Sequence, residues 1–331
     1  MTRRRIPDEI LSAAHARAAA RAAGDWGEAD RLRAEIEAAG WKIADRGTDF
    51  ALTPAAPPDL AEGERIRYGS SASVPSRWDE PTTGLATVVL MATDWPDDLA
   101  RALAALDTTS PGGTSVVIVA DAPSAEQAAA LEDLETAKGA AGEGPAGLPV
   151  EIVWTSERLG HAAATNIGLR RAGSPVVIQL DTSVELTGDV VTPLVHALDD
   201  ASVAVAGGWG IVSSDLRKFE DAPAGDVDAI EGYLTAFRRA DAAERGPLDE
   251  RFRFYRNLDI WWSLVLRDEG EDAAPRRAVS LDGLPAVRHQ HRGYTSLPDD
   301  ERDRQSKRNF YRIIDRFGWR RDLLTTVPQQ S

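Results

Sequence analysis

Aspartates follow three apolar segments of this 331-residue sequence, at positions where they could carry chemistry. Asp181 comes after Val-Val-Ile-Gln-Leu, Asp121 after Val-Ile-Val-Ala, and Asp94 after Val-Leu-Met-Ala-Thr. The carboxyl ends of parallel strands meet at one edge of a sheet, where α/β proteins bind ligands, so we expect these carboxylates to lie side by side. There they could face a ligand or a cation, although an acid of this kind can also simply end a strand in a solvated turn.

Strands and helices are predicted to alternate from residue 86 onwards, which would bring these acids to one edge. Alternation of short apolar runs with longer helical patterns is the signature of βαβ units, and it predicts an α/β fold with a doubly wound, mostly parallel sheet. The predicted strands are 86–92, 115–121, 150–154 and 176–181, and the predicted helices are 96–106, 124–138, 161–171 and 190–198.

The first part of the chain has a different pattern. Apolar residues recur at helical spacing from Ile10 to Ala22 and again from Trp26 to Ala39, with Gly24-Asp25 between them, and alternating residues follow around Gly47. This pattern predicts a small helical hairpin followed by a β-hairpin. The proline-rich stretch 54–58 reads as a linker. We therefore expect an appendage at 1–53, a linker and lead-in at 54–85, and the main domain at 86–331.

The composition limits the function classes. A formal net charge of −15 argues against a DNA-binding protein or a general binder of anionic membranes, although a local basic patch is not excluded. The absence of cysteine excludes disulfides, thiolate metal sites and a cysteine nucleophile. The sequence has no recognisable signal peptide or membrane-spanning segment, so a cytoplasmic protein is expected. The sequence leaves open whether the chain forms a homodimer.

Six segments of the main domain follow one another in a recognisable order. The first four read Thr-Val-Val-Leu-Met-Ala-Thr-Asp (87–94), Val-Ile-Val-Ala-Asp-Ala-Pro-Ser (117–124), Arg-Leu-Gly-His-Ala-Ala-Ala-Thr-Asn-Ile-Gly (158–168) and Leu-Asp-Thr-Ser (180–183), and two more follow at 231–239 and 246–252. In this order they resemble the segments of glycosyltransferase family 2, in which the last two lie on the acceptor side. A single segment of this kind is weak evidence, whereas six in the family's order are a strong signal of its GT-A fold. The resemblance covers about residues 86–318 and implies an inverting transferase that moves a sugar from a nucleotide-diphospho-sugar to an unidentified acceptor.

The resemblance also implies functional residues at the matching positions. It assigns Asp121 to the nucleoside and Asp181 to a divalent metal, Mn²⁺ or Mg²⁺, next to the diphosphate. Arg158 stands where the family usually has asparagine. The nucleotide-sugar site implied in this way consists of Thr93, Asp94, Asp121, Arg158, Gly160, Asn166 and Asp181.

Two departures from the family pattern fall on chemically demanding positions. The second acid of the metal motif is replaced by Ser183, whose hydroxyl is a neutral oxygen ligand, so metal binding should be weak unless Glu185 reaches in. The usual general base is replaced by Asn257, which cannot accept a proton at neutral pH. Asp259 is the nearest carboxylate, although two residues along a helix it would lie on another face. Asn257 and Asp259 are thus the candidates for the catalytic position.

Two histidines near the end of the chain complete the predicted metal site. His289 and His291 lie in a segment that resembles one from which family members often donate a metal-ligating histidine. Two apart on an extended segment, they would point the same way and could both approach a cation. They could also be ordinary surface residues. The predicted metal set is therefore Asp181, Ser183, Glu185, His289 and His291.

Residues 1–53 resemble the C-terminal appendage of cysteinyl-tRNA synthetases, through Asp25-Trp26, Ala29-Asp30, Leu32-Arg33, Ile36 and Gly40-Trp41. The resemblance implies RNA contact by the helix arginines at positions 17, 21 and 33. Arginines on alanine-rich helices are, however, more often solvated residues that support the helix.

Three functions remain open from the sequence. The first is an active glycosyltransferase. The second is a binding or scaffold protein that kept the GT-A fold but lost turnover, which the serine at position 183 and the asparagine at position 257 would explain. The third is a protein tethered to RNA or another partner through its appendage, which the acidic charge counts against.

Overall fold

The chain divides into two compact units, of which the first ends at Asp59 and the second begins at Leu60. The computed structural model describes residues 6–47, 49–137, 147–289, 291–295 and 297–325. Among these residues, no helix combines the length and the apolar character needed to span a bilayer.

The first unit is a helical hairpin with a β-hairpin, as predicted. It consists of α1 (Asp8–Ala22), α2 (Trp26–Ala38), β1 (Trp41–Arg46) and β2 (Asp49–Pro54). Asp25 ends the turn between the helices and caps α2, because its carboxylate accepts a hydrogen bond from the Glu28 amide at 3.1 Å. The small core of the unit contains Ile36 and Trp41, which are almost fully buried.

The arginines assigned to RNA contact are paired with carboxylates inside this unit. The Nη1 atoms of Arg17 and Arg21 lie 2.7 Å and 3.0 Å from the two carboxylate oxygens of Asp45. Arg33 pairs with Glu37 at 2.9 Å. Arg17 is also buried. Their charges are therefore used within the unit, which counts against the RNA contact that the appendage resemblance implied.

The second unit contains the predicted alternation of strands and helices. Its elements are β3 (Leu60–Glu62), β4 (Arg65–Tyr68), β5 (Ala86–Ala92), α3 (Pro96–Thr109), β6 (Thr114–Ala120), α4 (Ala125–Ala137), β7 (Val150–Thr155), α5 (His161–Arg171), β8 (Val176–Leu180), β9 (Val184–Leu186), α6 (Val191–Ala197), β10 (Val203–Gly207), β11 (Gly210–Ser213), β12 (Phe219–Ala222), β13 (Gly225–Val227), β14 (Ala229–Ile230), β15 (Leu234–Arg238), α7 (Arg239–Arg245), α8 (Leu258–Arg267), β16 (Arg277–Ser280), β17 (Ala286–Arg288), α9 (Arg292–Thr295) and α10 (Asp299–Phe317).

Ten of these strands form one sheet, in the order β13-β16-β10-β15-β8-β5-β6-β7-β4-β3. The five strands β8, β5, β6, β7 and β4 are parallel to one another, whereas β15 runs antiparallel between β8 and β10. Two small sheets, β12-β11-β14 and β17-β9, lie outside it. The predicted α/β class with a mostly parallel sheet is confirmed.

The segment 54–85 is not a linker throughout. Its strand β4 pairs with β7 in parallel, and β3 pairs with β4. The pattern hid this strand because it has only four residues and its contacts use charged side chains. The guanidinium groups of Arg65 and Arg67 lie 4.3 Å and 4.9 Å from the ring centre of Trp154 on β7.

Helix α5 packs closely on the centre of the sheet. All residues from Ala162 to Leu169 are buried, and most are small enough to let the helix backbone approach the strands. At Gly168 a Cβ atom would overlap the side chain of Val89 on β5. This close approach fixes the height at which the first turn of α5 meets the carboxyl edge of the sheet.

We expect Gly168→Ala to destabilise the second unit by about 1–3 kcal/mol, because the added methyl group overpacks a filled core. The exposed Gly112 has open space around its Cα, so Gly112→Ala should change stability by no more than about 1 kcal/mol. Urea unfolding followed by circular dichroism would compare the two. Equal stability of Gly168→Ala and the unchanged protein would contradict the close packing.

Candidate active site

A cavity opens at the carboxyl edge of the parallel strands, where the acids were expected. Asp181 follows β8, Asp94 follows β5, and Asp121 follows β6, and these three strands are neighbours in the sheet. Of the three, only Asp181 lines the cavity. The other polar side chains that line it are His161, Thr165, Gln179, Tyr233, Thr235, Tyr255, Asp259, Trp262 and His291.

Asp181 is paired with His291 inside this cavity. The Nε2 atom of His291 lies 3.2 Å from Oδ2 of Asp181, and the backbone amide and hydroxyl of Ser183 donate to Oδ1 at 2.8 Å and 2.5 Å. Burial opposes the charged form of both partners. For Asp181, the hydrogen bond and charge of His291 and the bonds from Ser183 outweigh burial, so its pKa is lowered. For His291, the hydrogen bond and charge of Asp181 outweigh burial, so its pKa is raised. Ser183 therefore supports Asp181 and uses its hydroxyl in doing so.

Aromatic rings hold the imidazole of His291 in place. The ring of Tyr255 stacks on it at 4.3 Å with an interplanar angle of 12°, and Tyr233 meets it edge-on at 6.5 Å. His161 lies on the same cavity, where burial lowers its pKa to about 4. His161 is thus neutral near pH 7 and can act as a hydrogen-bond donor or acceptor.

Asp259 lines the cavity, whereas Asn257 does not. Asn257 precedes α8 in a left-handed conformation (φ 67°), and its amide donates to the backbone oxygen of Ser306 on α10 at 3.1 Å. Asp259 is the second residue of the helix and accepts a bond from the Gly232 amide at 3.0 Å. The two side chains thus face different parts of the molecule, as expected, although Asn257 is the residue before the helix and not part of it.

Burial raises the pKa of Asp259. The bonds from the amides of Gly232 and Ile260 and the charge of Arg256 pull the pKa in the other direction but are weaker. A carboxylate with a raised pKa at the wall of a cavity is suited to accept a proton, which is the role that the resemblance implied for position 257.

Two buried polar atoms beside the cavity lack a hydrogen-bond partner among the described residues. They are Oγ1 of Thr165 and Nε1 of Trp262, and both residues are no more than 2% exposed. Buried donors and acceptors are rarely left unpaired in folded proteins. Their position favours a polar ligand or water in this cavity.

Asp121 is buried beneath the edge of the sheet. Its two carboxylate oxygens accept hydrogen bonds from the amides of Leu159 and Gly160 at 2.7 Å and 3.0 Å, and Thr155 adds a third at 3.2 Å. Burial raises its pKa more than these bonds lower it. With 3% of its surface exposed, Asp121 shapes the turn before α5.

Arg158 joins the ends of β5 and β6 at the surface. Its guanidinium donates to the backbone oxygen of Ala122 at 2.8 Å and lies 3.4 Å from the carboxylate of Asp94. The backbone oxygen of Thr93 accepts a bond from the Ser124 amide at 2.7 Å. Ala122 itself has a positive φ of 44°, a strained backbone conformation of the kind that clusters at ligand-binding sites. Asp94 and Arg158 thus form a partly exposed polar rim at the ends of β5 and β6.

Gly160 and Asn166, which were predicted to contact the nucleotide-sugar, make close contacts within the fold. Gly160 has a φ of 99°, and a Cβ atom there would come within 2.9 Å of Arg253. The amide group of Asn166 donates to and accepts from the backbone of Leu248, and it also bonds Glu250 at 3.0 Å. Asn166 is 2% exposed. Both residues connect the loop before α8 to helix α5 and the turn that precedes it.

His289 and Glu185 pair with each other outside the cavity. The His289 Nε2 atom lies 2.7 Å from Oε2 of Glu185, and both side chains are more than 40% exposed. The two histidines therefore contact different carboxylates, because the extended strand β17 already ends at Arg288. The expectation that they point the same way was wrong.

A divalent metal fits this arrangement only if a bound substrate supplies some of its ligands. Within the described residues, no three carboxylate or imidazole side chains come together as a metal site. Asp181 and His291 offer one carboxylate and one imidazole. Mg²⁺ and similar ions are often held by one or two carboxylates together with substrate phosphates. The donor set suits an ion that binds together with a diphosphate.

Sequence reasoning missed Tyr255 and Gly232, which complete the cavity. Tyr255 is two residues before Asn257, and Gly232 lies in the segment already matched to the family. A tyrosine or a glycine does not by itself predict a functional role. Gly232 acts through its backbone amide, which no sequence pattern reveals.

Comparison with known proteins identifies the family of the chain. The family model of glycosyl transferase family 2 matches residues 87–255. A comparison with curated protein sequences finds no relative that matches the chain.

Two solved structures have a similar fold. The structure of GalNAc-T7 with UDP, GalNAc and Mn²⁺ is similar with a TM-score of 0.57 at 16% identity, over 72% of this chain and 49% of that one. The mannosyltransferase PcManGT from Pyrobaculum calidifontis, in complex with GDP-Man and Mn²⁺, is similar with a TM-score of 0.50 at 18% identity, over 74% of this chain and 67% of that one.

The chain thus spans about half the length of the first of these structures, and at these identities the likeness concerns the GT-A fold. The family match covers more than half of the sequence, including β5 to β8 and the loop that carries Tyr255. This chain belongs to glycosyl transferase family 2.

Proposed function

We propose that this protein is an inverting glycosyltransferase that uses a nucleotide-diphospho-sugar. The observation that carries the proposal is the cavity in which the Asp181–His291 pair, the neutral His161 and the carboxylate of Asp259 are neighbours. A sugar-nucleotide transferase needs groups that hold the diphosphate and a base for the acceptor hydroxyl. This cavity offers both.

The donor nucleotide would bind along the polar rim at the ends of β5 and β6. Asp94 and Arg158 are the partly exposed groups there. Asp121 acts beneath them by holding the Leu159–Gly160 turn. The nucleotides in two structures with a similar fold, UDP and GDP-Man, support a nucleoside diphosphate as the common part of the donor.

Asp181 and His291 would hold a divalent metal together with the diphosphate. When bound, such an ion neutralises charge on the departing diphosphate. Both similar structures were determined with Mn²⁺. Because His291 is paired with Asp181 and has a raised pKa, a proton competes with the metal for this pair.

The chemistry is a single displacement at the anomeric carbon. Asp259 accepts the proton of the acceptor hydroxyl while its oxygen forms the new bond to that carbon. The bond from the carbon to the diphosphate oxygen breaks, and its electron pair leaves with the nucleotide. Attack from the face opposite the leaving group inverts the configuration. Asp259 in the cavity favours turnover over a scaffold that kept only the fold, since it supplies the carboxylate that Asn257 lacks.

We expect Asp259→Asn to lower sugar-nucleotide turnover by about 10²- to 10⁴-fold, because an amide cannot accept the proton. The measurement is release of nucleoside diphosphate from UDP-, GDP- and dTDP-sugars in the presence of Mn²⁺. Asp315→Asn, at an exposed position on α10, is the matched control and should keep full activity. Unchanged turnover in Asp259→Asn would exclude this residue as the base.

The pH profile should show the raised pKa of Asp259. The base works only when ionised, so kcat/KM should fall as the pH drops through that pKa. The acid limb should therefore lie above the ordinary aspartate value of about 3.9. A limb at or below the ordinary value would contradict the assignment.

Nucleoside diphosphates should stabilise the protein more strongly with Mn²⁺ than without it. A ligand at about 100 times its Kd adds about 2.7 kcal/mol to the free energy of unfolding, which thermal-shift screening with UDP, GDP and dTDP detects. Asp181→Asn should remove the Mn²⁺-dependent part of the shift. Glu185→Gln should keep it, because Glu185 pairs with His289 outside the cavity. No shift with any of the nucleotides would overturn the donor proposal and favour the scaffold alternative.

A further inference from the structure

A second cavity, of about 280 Å³, opens beside the one that holds Asp259. It is formed by the connection between β10 and β11, by the end of β12, and by the turn between β16 and β17. The residues that carry the following argument are Trp209, Asp221, Glu231, Asp282 and Arg288, all of which line it.

The two cavities share a wall. Trp209 of the second cavity meets Tyr233 of the first edge-on, with ring centres 5.9 Å apart. Glu231 lines the second cavity, while the next residue, Gly232, donates its amide to Asp259 in the first. A molecule bound in the second cavity therefore lies across one wall from the cavity that contains the proposed base.

Among the described residues that line this cavity, Arg288 has the only guanidinium, and it is paired with a carboxylate. Arg288 lies above the rings of Tyr233 and Trp209, at 4.8 Å and 5.7 Å, and its Nη1 atom is 2.6 Å from Oε2 of Glu231. Burial raises the pKa of Glu231, against the charge of Arg288. Arg288 thus offsets the charge of Glu231, so the other two carboxylates on this cavity set its net charge.

The other charged side chains that line the cavity in the described part of the chain are negative. The carboxylates of Asp221 and Asp282 are exposed on its rim. Carboxylates accept hydrogen bonds from hydroxyl and ammonium groups and repel phosphate and carboxylate groups. An aromatic side chain beside them provides an apolar surface for the C–H groups of a sugar ring.

We propose that this second cavity is the acceptor subsite and that it takes a neutral or amine-bearing saccharide, not an anionic one. The sugar ring packs against Trp209, and its hydroxyl or amino groups donate to Asp221 and Asp282. The role of this saccharide as acceptor rests on the proposed transferase function, whereas its binding to the cavity does not depend on that function.

Saturation-transfer NMR with the full-length protein tests the subsite directly. The probes are three matched sugars, methyl β-glucoside, methyl 2-amino-2-deoxy-β-glucoside and methyl β-glucuronide, titrated separately. The first two should bind, and the glucuronide should not. If none of the three binds, or if the glucuronide binds as well as the glucoside, the proposal is overturned.

Two variants locate the binding. Trp209→Ala should weaken binding of the glucoside by about tenfold, the usual effect of removing an aromatic anchor. Trp319→Ala removes another tryptophan, which is 58% exposed and outside the cavity lining, and should leave binding unchanged. Equal affinities of Trp209→Ala and Trp319→Ala would place the saccharide elsewhere and refute the subsite.

A charge reversal tests the selectivity. Asp282→Lys puts a cation on an exposed turn of the rim and should allow methyl β-glucuronide to bind while weakening the amino sugar. An unchanged order of the three sugars in this variant would show that Asp282 does not set it.

Titration with UDP, GDP and dTDP in the same samples separates this proposal from the transferase proposal. Saccharide binding that depends on Trp209, without any nucleotide binding, would support the subsite and refute the donor site. Nucleotide binding together with saccharide affinities that do not change in Trp209→Ala would support the donor site and refute the subsite.

Discussion

The first turn of α5 is the junction on which the candidate site depends. On one side, the carboxylate of Asp121 accepts hydrogen bonds from the amides of Leu159 and Gly160 and fixes the turn to the end of β6. On the other side, the next two amides, of His161 and Ala162, donate to the backbone oxygens of Arg253 and Phe252. The first turn of a helix has amides without partners inside the helix, and here the fold itself supplies the acceptors.

This junction determines which residues reach the cavity. Because the loop at 252–253 is bonded to α5, Tyr255 comes to stack on His291, and α8 starts where Asp259 can meet Gly232. The amides at this helix end are used by the protein, so a diphosphate here must rely on other groups. In our proposal, a divalent metal held by Asp181 and His291 would bind the diphosphate, and Arg158 lies at the rim beside the nucleotide.

The sequence predicted what local patterns determine. The bounds of β5 agree with the prediction, and those of β6, β7 and β8 agree to within one residue, because apolar runs that end at a polar residue are a local signal. The positions of Asn257 and His289 could not be predicted in this way. The left-handed conformation of Asn257 is supported by Ser306, which is distant in sequence, and the partner of His289 is set by the pairing of β17 with β9. Such contacts exist only in the folded chain.

The large sheet is closed at both ends by very short strands. Its outer members, β3 and β13, have three residues each, and both carry an exposed acid, Glu62 and Asp226, paired with an arginine of the neighbouring strand. A further chain could form only a few backbone hydrogen bonds along either border and would have to approach a charged side chain to do so. The two short, charged borders thus disfavour edge-to-edge pairing of this wide β-sheet with another chain.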